Sequence, residues 1–268
     1  MKVLARVALC CLAIAVCRAQ VEVPGASDQH GGFGLQDQPG GRLLLIPSLL
    51  RPESLKTALC SGGRRFPIQF ERRQVARESG NGRQTPAHFD ELAGNVFTVV
   101  AGTVDPDATC FLASETSLAG SAVWGVDAPV GSGACVGRNR FAEIRSRRVT
   151  HCWPLARIGS NREVALLEFE RRGTDALASL VVVDGNRTMF ADYTAEFRRE
   201  GEDLWRVDDG GVLSPQGIEI VSMLQRRNWY ALATAWAGAE GRLLQLWIAD
   251  GNERFTKVLN DYWYQAPV

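Results

Sequence analysis

Val164–Tyr193 reads VALLEFERRGTDALASLVVVDGNRTMFADY, and this stretch decides the fold class. Three short apolar runs, Val164 to Phe169, Leu177 to Val183 and Thr188 to Tyr193, are separated by polar, glycine-containing breaks. They are rich in Val, Leu and aromatic residues and too short for typical helices, which predicts strands. Asp184-Gly185-Asn186 between two of them predicts a tight hairpin of type I′, a turn needing positive φ at both central residues. A similar pair, Ala231 to Trp236 and Leu243 to Ala249, ends on Asp250-Gly251-Asn252. Upstream, Val96 to Val100 and Thr109 to Leu112 flank the turn signal Asp105-Pro106-Asp107.

These pairs resemble one another. Without gaps, Ala165, Leu166, Leu177 and Leu180 align with Ala231, Leu232, Leu243 and Leu246, and the Asp-Gly-Asn triplets coincide. Trp124 and Asp127 echo Trp205 and Asp208, and Glu143, Ser146 and Trp153 echo Glu219, Ser222 and Trp229. The expectation is a mainly β protein of antiparallel hairpin units repeated two to three times. They would form a sandwich or a partial propeller-like array, since one such unit cannot bury its apolar faces alone.

The region before the strands reads differently. Met1 to Ala19 has the build of an export signal. Lys2 and Arg6 precede the apolar run Val7 to Val16, and Cys17-Arg18-Ala19 places small residues before a cut at Gln20. Residues 20–42, rich in Gly, Gln and Asp, read as a disordered leader, and 43–94 as a mixed helix and loop segment. Within it, Pro52 to Cys60 predicts a short helix, residues 74–85 a loop, and Pro86 to Leu92 a helical turn or two. The β-rich region is then 95–268, divided at about 160.

Export directs the reading of the cysteines. Cys10, Cys11 and Cys17 fall in the signal, leaving Cys60, Cys110, Cys135 and Cys152 for two disulfides, with three connectivities open. A lipid anchor at Cys17 is the alternative to a soluble secreted or periplasmic chain, but Val16 is bulky for that kind of cut. Without the signal the balance is 27 basic to 30 acidic residues. That gives no field to attract nucleic acid or an anionic membrane. No later apolar stretch reaches spanning length. Arginine outnumbers lysine 27 to 3, in a scattered pattern that reads as a coding bias.

Catalytic signatures are sparse. The three histidines, His30, His88 and His151, have no metal-ligand spacing, and on a strand His151 and Cys152 would face opposite ways. There is no Gly-x-Ser-x-Gly, and Gly131 to Gly137 misses the dinucleotide spacing by one residue. No metal or cofactor is expected. The paired acids Asp105/Asp107, Glu202/Asp203 and Asp208/Asp209 sit in turn contexts; Asp208 and Asp209 are the candidates for hydrolytic chemistry. Asn186-Arg187-Thr188 matches a glycosylation acceptor, read as accidental.

Aromatic residues crowd the C-terminal part: Trp205, Trp229, Tyr230, Trp236, Trp247 and Tyr262-Trp263-Tyr264. Such rings build both β cores and recognition surfaces. Alternation puts Trp263 opposite Tyr262 and Tyr264, so one of those faces is the candidate binding surface. The expectation is a non-catalytic exported protein that binds a protein, peptide or glycan. The alternatives are a secreted hydrolase of glycans or peptides using an acidic pair, and a structural envelope component.

Overall fold

The computed structural model describes residues 31–46, 51–78, 80–124, 126–127, 135, 137–159, 161–197, 204–251 and 253–266. The signal, Cys17, His30, Glu202 and Asp203 lie outside them, as does most of the glycine loop before Gly137. Six strands come first: β1 (Gly31–Gln36), β2 (Arg42–Leu45), β3 (Leu55–Cys60), β4 (Arg64–Gln74), β5 (Gly94–Val99) and β6 (Cys110–Ser114). They close into an antiparallel barrel in the order β1-β2-β5-β4-β3-β6.

Closure explains why the leader reading fails from Gly31 onward. Along β1 the pattern Gly32-Phe33-Gly34-Leu35 is a strand alternation in which glycine takes the barrel-facing side. A Cβ on Gly34 would lie 2.4 Å from Leu112 Cδ1, and one on Gly32 would lie 2.7 Å from Leu45 Cδ1. The interior of so small a barrel is filled by Leu43, Leu45, Phe66, Phe97 and Leu112, which leaves no room for side chains from β1. Phe33 and Leu35 point outward and are nevertheless fully buried.

Two further expectations are corrected here. Pro52–Ser54 forms one 3-10 turn, but Leu55–Cys60 is strand β3, not helix, because it pairs with both β4 and β6. Barrel pairing on two sides overrides the helix-forming Leu, Lys and Ala of that segment. The residues around Asp105-Pro106-Asp107 do not form a hairpin: β5 pairs with β2 and β4, while β6 pairs with β1 and β3. The expected boundary at residue 95 therefore falls inside the barrel. Pro86–Glu91 is helical as expected, as a 3-10 segment.

Ten strands make two five-stranded sheets. β7 (Ala122–Trp124) and β8 (Val126–Asp127) are short and nearly continuous. One sheet runs β12-β11-β10-β9-β8, with β9 (Val149–Ile158), β10 (Arg162–Phe169), β11 (Asp175–Asp184) and β12 (Arg187–Glu196). The other runs β16-β15-β14-β13-β7, with β13 (Ile218–Arg226), β14 (Trp229–Ala237), β15 (Gly241–Asp250) and β16 (Thr256–Tyr264). Each is a four-strand antiparallel meander completed by half of the β7–β8 segment. The aligned residues Leu166/Leu232 and Leu180/Leu246 occupy the second and third strands of their meanders. The Glu143/Glu219 echo has no structural counterpart, since Glu143 lies on helix α1 (Arg138–Arg145) and Glu219 on β13.

The turn at Asp184-Gly185-Asn186 joins β11 to β12 with Asp184 opposite Arg187. Gly185 has φ +56°, whereas Asn186 is not among the residues with positive φ. Positive φ at the first central residue alone is the II′ pattern, not the expected I′.

The layers follow from strand alternation. Val164, Leu166, Leu180 and Met189 of one sheet meet Met223, Leu232 and Trp247 of the other in one core. On its other face, the β13–β16 sheet packs Val221, Leu244 and Trp263 against Phe33, Leu35 and Phe111 outside the barrel. The β9–β12 sheet packs Leu167, Val181 and Phe190 under Phe141 of α1.

Cys60 pairs with Cys110, its register partner across β3 and β6, and Cys135 pairs with Cys152 of β9. Of the three connectivities this is the local one, and it is consistent with an oxidising location outside the cytoplasm. Among the described residues no helix is long and apolar enough to cross a membrane. Several arginines hold the fold by donating to main-chain carbonyls, as Arg138 does to Val149 and Thr150, and Arg147 to Glu170 and Asp175.

Candidate functional site at the mouth of the sandwich

β12 and β16 are the outer strands of their sheets. Between them the sandwich opens into a cavity of about 290 Å³. Tyr193 and Thr194 of β12 form one wall, and Trp236, Leu243 and Gln245 of β14 and β15 form the floor. Trp205 and Arg206 form a third side, and Lys257 of β16 stands at the rim. Tyr193 packs edge-on against both Trp236 and Trp247, each at 5.4 Å between ring centroids.

The polar groups among these rings are fixed in place. Gln245 is buried; its Oε1 accepts from Tyr193 Oη at 2.9 Å, and its Nε2 donates to Asn260 Oδ1 at 2.9 Å. Burial pushes the Tyr193 hydroxyl well above the usual phenol range, so it stays protonated. Trp205 Nε1 donates to the carbonyl of Tyr193 at 3.0 Å, and Trp236 Nε1 to that of Val212 at 3.2 Å. Each aromatic wall is thus oriented by an indole N–H bond as well as by packing.

Asp208 supports this wall from behind. Arg206 and Val212 form a small β-bridge, and Asp208 lies near the tip of the resulting loop. Its Oδ1 accepts from the amides of Gly210, Gly211 and Ala239, and its Oδ2 from the amide of Glu240. Tyr262 Oη completes the set at 3.2 Å from Oδ2. The loop is thereby tied to the turn between β14 and β15. The approach is close enough that a Cβ on Gly238 would sit 2.1 Å from Asp208 Oδ2. Burial alone would raise the Asp208 pKa, but four backbone N–H bonds overcome it and hold the carboxyl well below the usual range. The Tyr262 hydroxyl is pushed up to about 12 by burial and by the Asp208 charge.

A carboxylate so occupied is ionised at neutral pH, and its lone pairs are committed to the chain. Asp208→Ala is expected to cost about 2–3 kcal/mol, the scale of hydrogen bonds to a charged group. Asp208→Asn should cost less, because Oδ1 keeps its three amide donors and only Oδ2 becomes an amide nitrogen facing Glu240 N–H. Urea unfolding of both variants checks this order; equal, negligible effects would show that Asp208 does not hold the loop. The contribution has a pH window. The unfolded carboxyl titrates near ~3.9, so the stabilisation is complete above about pH 4 and fades as pH falls toward the depressed folded value.

The other sequence candidates are spread more widely. Asp209 is exposed, and its carbonyl accepts from Arg206 Nη1. Trp263 is buried against the barrel, while Tyr262 and Tyr264 are each about 40 % exposed on the opposite side of β16. Tyr264 is engaged through its main chain, whose carbonyl accepts from the Gln84 amide. His151 is exposed, stacked on Trp153, with Nδ1 2.9 Å from Glu168. His88 bonds Thr85 and Asn81. Asp105 pairs with Arg64. Among the described residues no three His, Cys, Asp or Glu side chains gather as a metal site.

The structure thus brings Trp205, Trp236 and Trp247 together and places Asp208 and Tyr262 just behind them. Sequence reading missed Tyr193, Gln245 and Lys257. Gln245 carried a usable signal, as the single polar residue in Leu243-Leu244-Gln245-Leu246-Trp247. Comparison of the chain with protein-family models, with curated proteins and with solved structures gave no match in any of the three.

Proposed function

We propose that this is a non-catalytic binding protein, working outside the cytoplasm, that holds one sugar ring of a glycan in the cavity between β12 and β16. The observation that carries this reading is the cavity's wall: Tyr193, Trp205 and Trp236 around a buried, oriented amide at Gln245. Aromatic faces take the apolar faces of a sugar, and fixed amide and hydroxyl groups take its hydroxyls. At ~30 Å³ per water-sized atom, the volume holds roughly ten non-hydrogen atoms, the scale of one ring.

The surroundings favour a glycan over an extended peptide. A peptide would add to a free strand edge, but the edge of β12 is already engaged. Phe190 pairs through its main chain with Glu253 and Phe255, and the Tyr193 carbonyl is held by Trp205. The barrel, being closed, offers no edge at all.

Calorimetric titration of the oxidised chain with a panel of oligosaccharides tests the reading. One saturable site is expected, weakened at least tenfold by Trp205→Ala. Absence of binding across the panel, or binding indifferent to Trp205, would overturn it.

A further inference from the structure

We infer that the sugar taken by this cavity is an acidic one, a hexuronic acid ring whose carboxylate is received by Lys257. This rests on the glycan reading of the cavity and adds the charge of its ligand. Lys257 is exposed at the rim, with Nζ 5.5 Å from the centre of the Trp247 ring. Among the described residues it forms no ion pair. The aromatic face steadies an ammonium without neutralising it, so its charge remains for a ligand.

The rest of the lining does not cancel that charge. Asp192 also borders the cavity, but its carboxylate is taken up on the far side of β12. Oδ2 lies 2.8 Å from Arg145 Nη2 and 3.3 Å from Arg254 Nη2, and Oδ1 accepts from Ser179 at 2.7 Å. Gln245 and Tyr193 are neutral, and the Tyr193 hydroxyl donates to the Gln245 amide oxygen. The site is therefore an aromatic cleft with the Lys257 ammonium at its mouth, in a chain whose formal net charge is zero and which has no general attraction for anions.

The use of lysine at this position supports the assignment. The chain has only 3 lysines against 27 arginines. Arginines elsewhere serve as forks on carbonyls and carboxylates, whereas a compact ammonium leaves room for a ring in a small cavity.

Titrating the full oxidised chain with glucuronic acid and with glucose, for the wild type and for Lys257→Gln, tests the inference. The wild type is expected to bind glucuronic acid at least tenfold more tightly than glucose. That preference should shrink with added salt. Lys257→Gln, a change at an exposed side chain, should bring the two sugars to parity by weakening glucuronic acid at least tenfold. Glucose bound as well as glucuronic acid by the wild type would overturn the charge assignment and leave the cavity reading standing. A preference that survives Lys257→Gln would also overturn the role of Lys257. Binding of neither sugar, with no response from any oligosaccharide, would remove the glycan reading and this inference together.

Discussion

Replacing Cys60 and Cys110 together by alanine should lower the free energy of unfolding by about 4 kcal/mol, the loop-entropy value for a separation of 50 residues. The same change at Cys135 and Cys152, separated by 17 residues, should cost about 3 kcal/mol. The first bond matters more for a second reason. It joins β3 to β6 within the closed ring of strands, and both cysteines are fully buried beside Leu43, Phe97 and Leu112. Its loss opens space in a core already limited by glycines on β1. The second bond lies at the margin, between the segment before α1 and β9. Denaturant unfolding of the two double variants should show this order. Equal midpoints, or the reverse order, would mean that the barrel is not held as described.

Trp236→Ala should cost about 3–5 kcal/mol, the range for removing a large buried aromatic ring, and should also abolish saturable glycan binding. Trp236 is only 4 % exposed, packs edge-on against Tyr193, and bonds the Val212 carbonyl through its indole. Removing it leaves a void between the sheets, frees the loop that carries Trp205, and strips the cavity floor. Trp205→Ala separates the two effects, since Trp205 is only partly buried and its removal should weaken binding with less loss of stability. The pair can be compared by urea unfolding alongside calorimetry. A Trp236→Ala variant that melts like the wild type would contradict the packing; one that binds like the wild type would contradict the site.

The strands β10, β11, β12, β14 and β15 were legible from their short apolar runs, and those of β11 and β15 end at Asp-Gly turns, where chain reversal and hydrophobic period agree. The barrel was not. In Gly32-Phe33-Gly34-Leu35 the strand period is present, but its inward positions are glycines, which composition alone assigns to a leader. The requirement for them arises only when Leu45 and Leu112 fill the interior from strands distant in sequence. Pro52 to Cys60 shows the same limit, since local helix signals gave way to pairing on both sides of β3. The two-residue turn at Gly185-Asn186 was foreseen, but its backbone class was not, because Asp-Gly-Asn is compatible with either primed turn.

The sequence candidates for binding, Tyr262, Trp263 and Tyr264, are not the residues that line the cavity. Tryptophans crowd the C-terminal part of the sequence, where they suit a β core as well as a recognition surface, and two of them, Trp205 and Trp236, line the opening. Their partners Tyr193 and Lys257 lie 64 positions apart and meet only because β12 and β16 end their sheets on the same side of the sandwich. Asp208 illustrates the converse. Its sequence context, Asp208-Asp209-Gly210-Gly211, offered an acidic pair, while the fold gives the first carboxylate four amides and a tyrosine to hold.

The central claim is that a ligand enters between β12 and β16, and the indole N–H resonances of the 7 tryptophans test it most directly. On titration with a binding oligosaccharide, the signals of Trp205 and Trp236 should move together and saturate, with Trp247 behind them shifting less. Trp263, buried against the barrel, and Trp229 should stay still. Saturable binding that moves Trp263 or Trp229 and leaves Trp205 and Trp236 unchanged would place the ligand elsewhere and contradict the account.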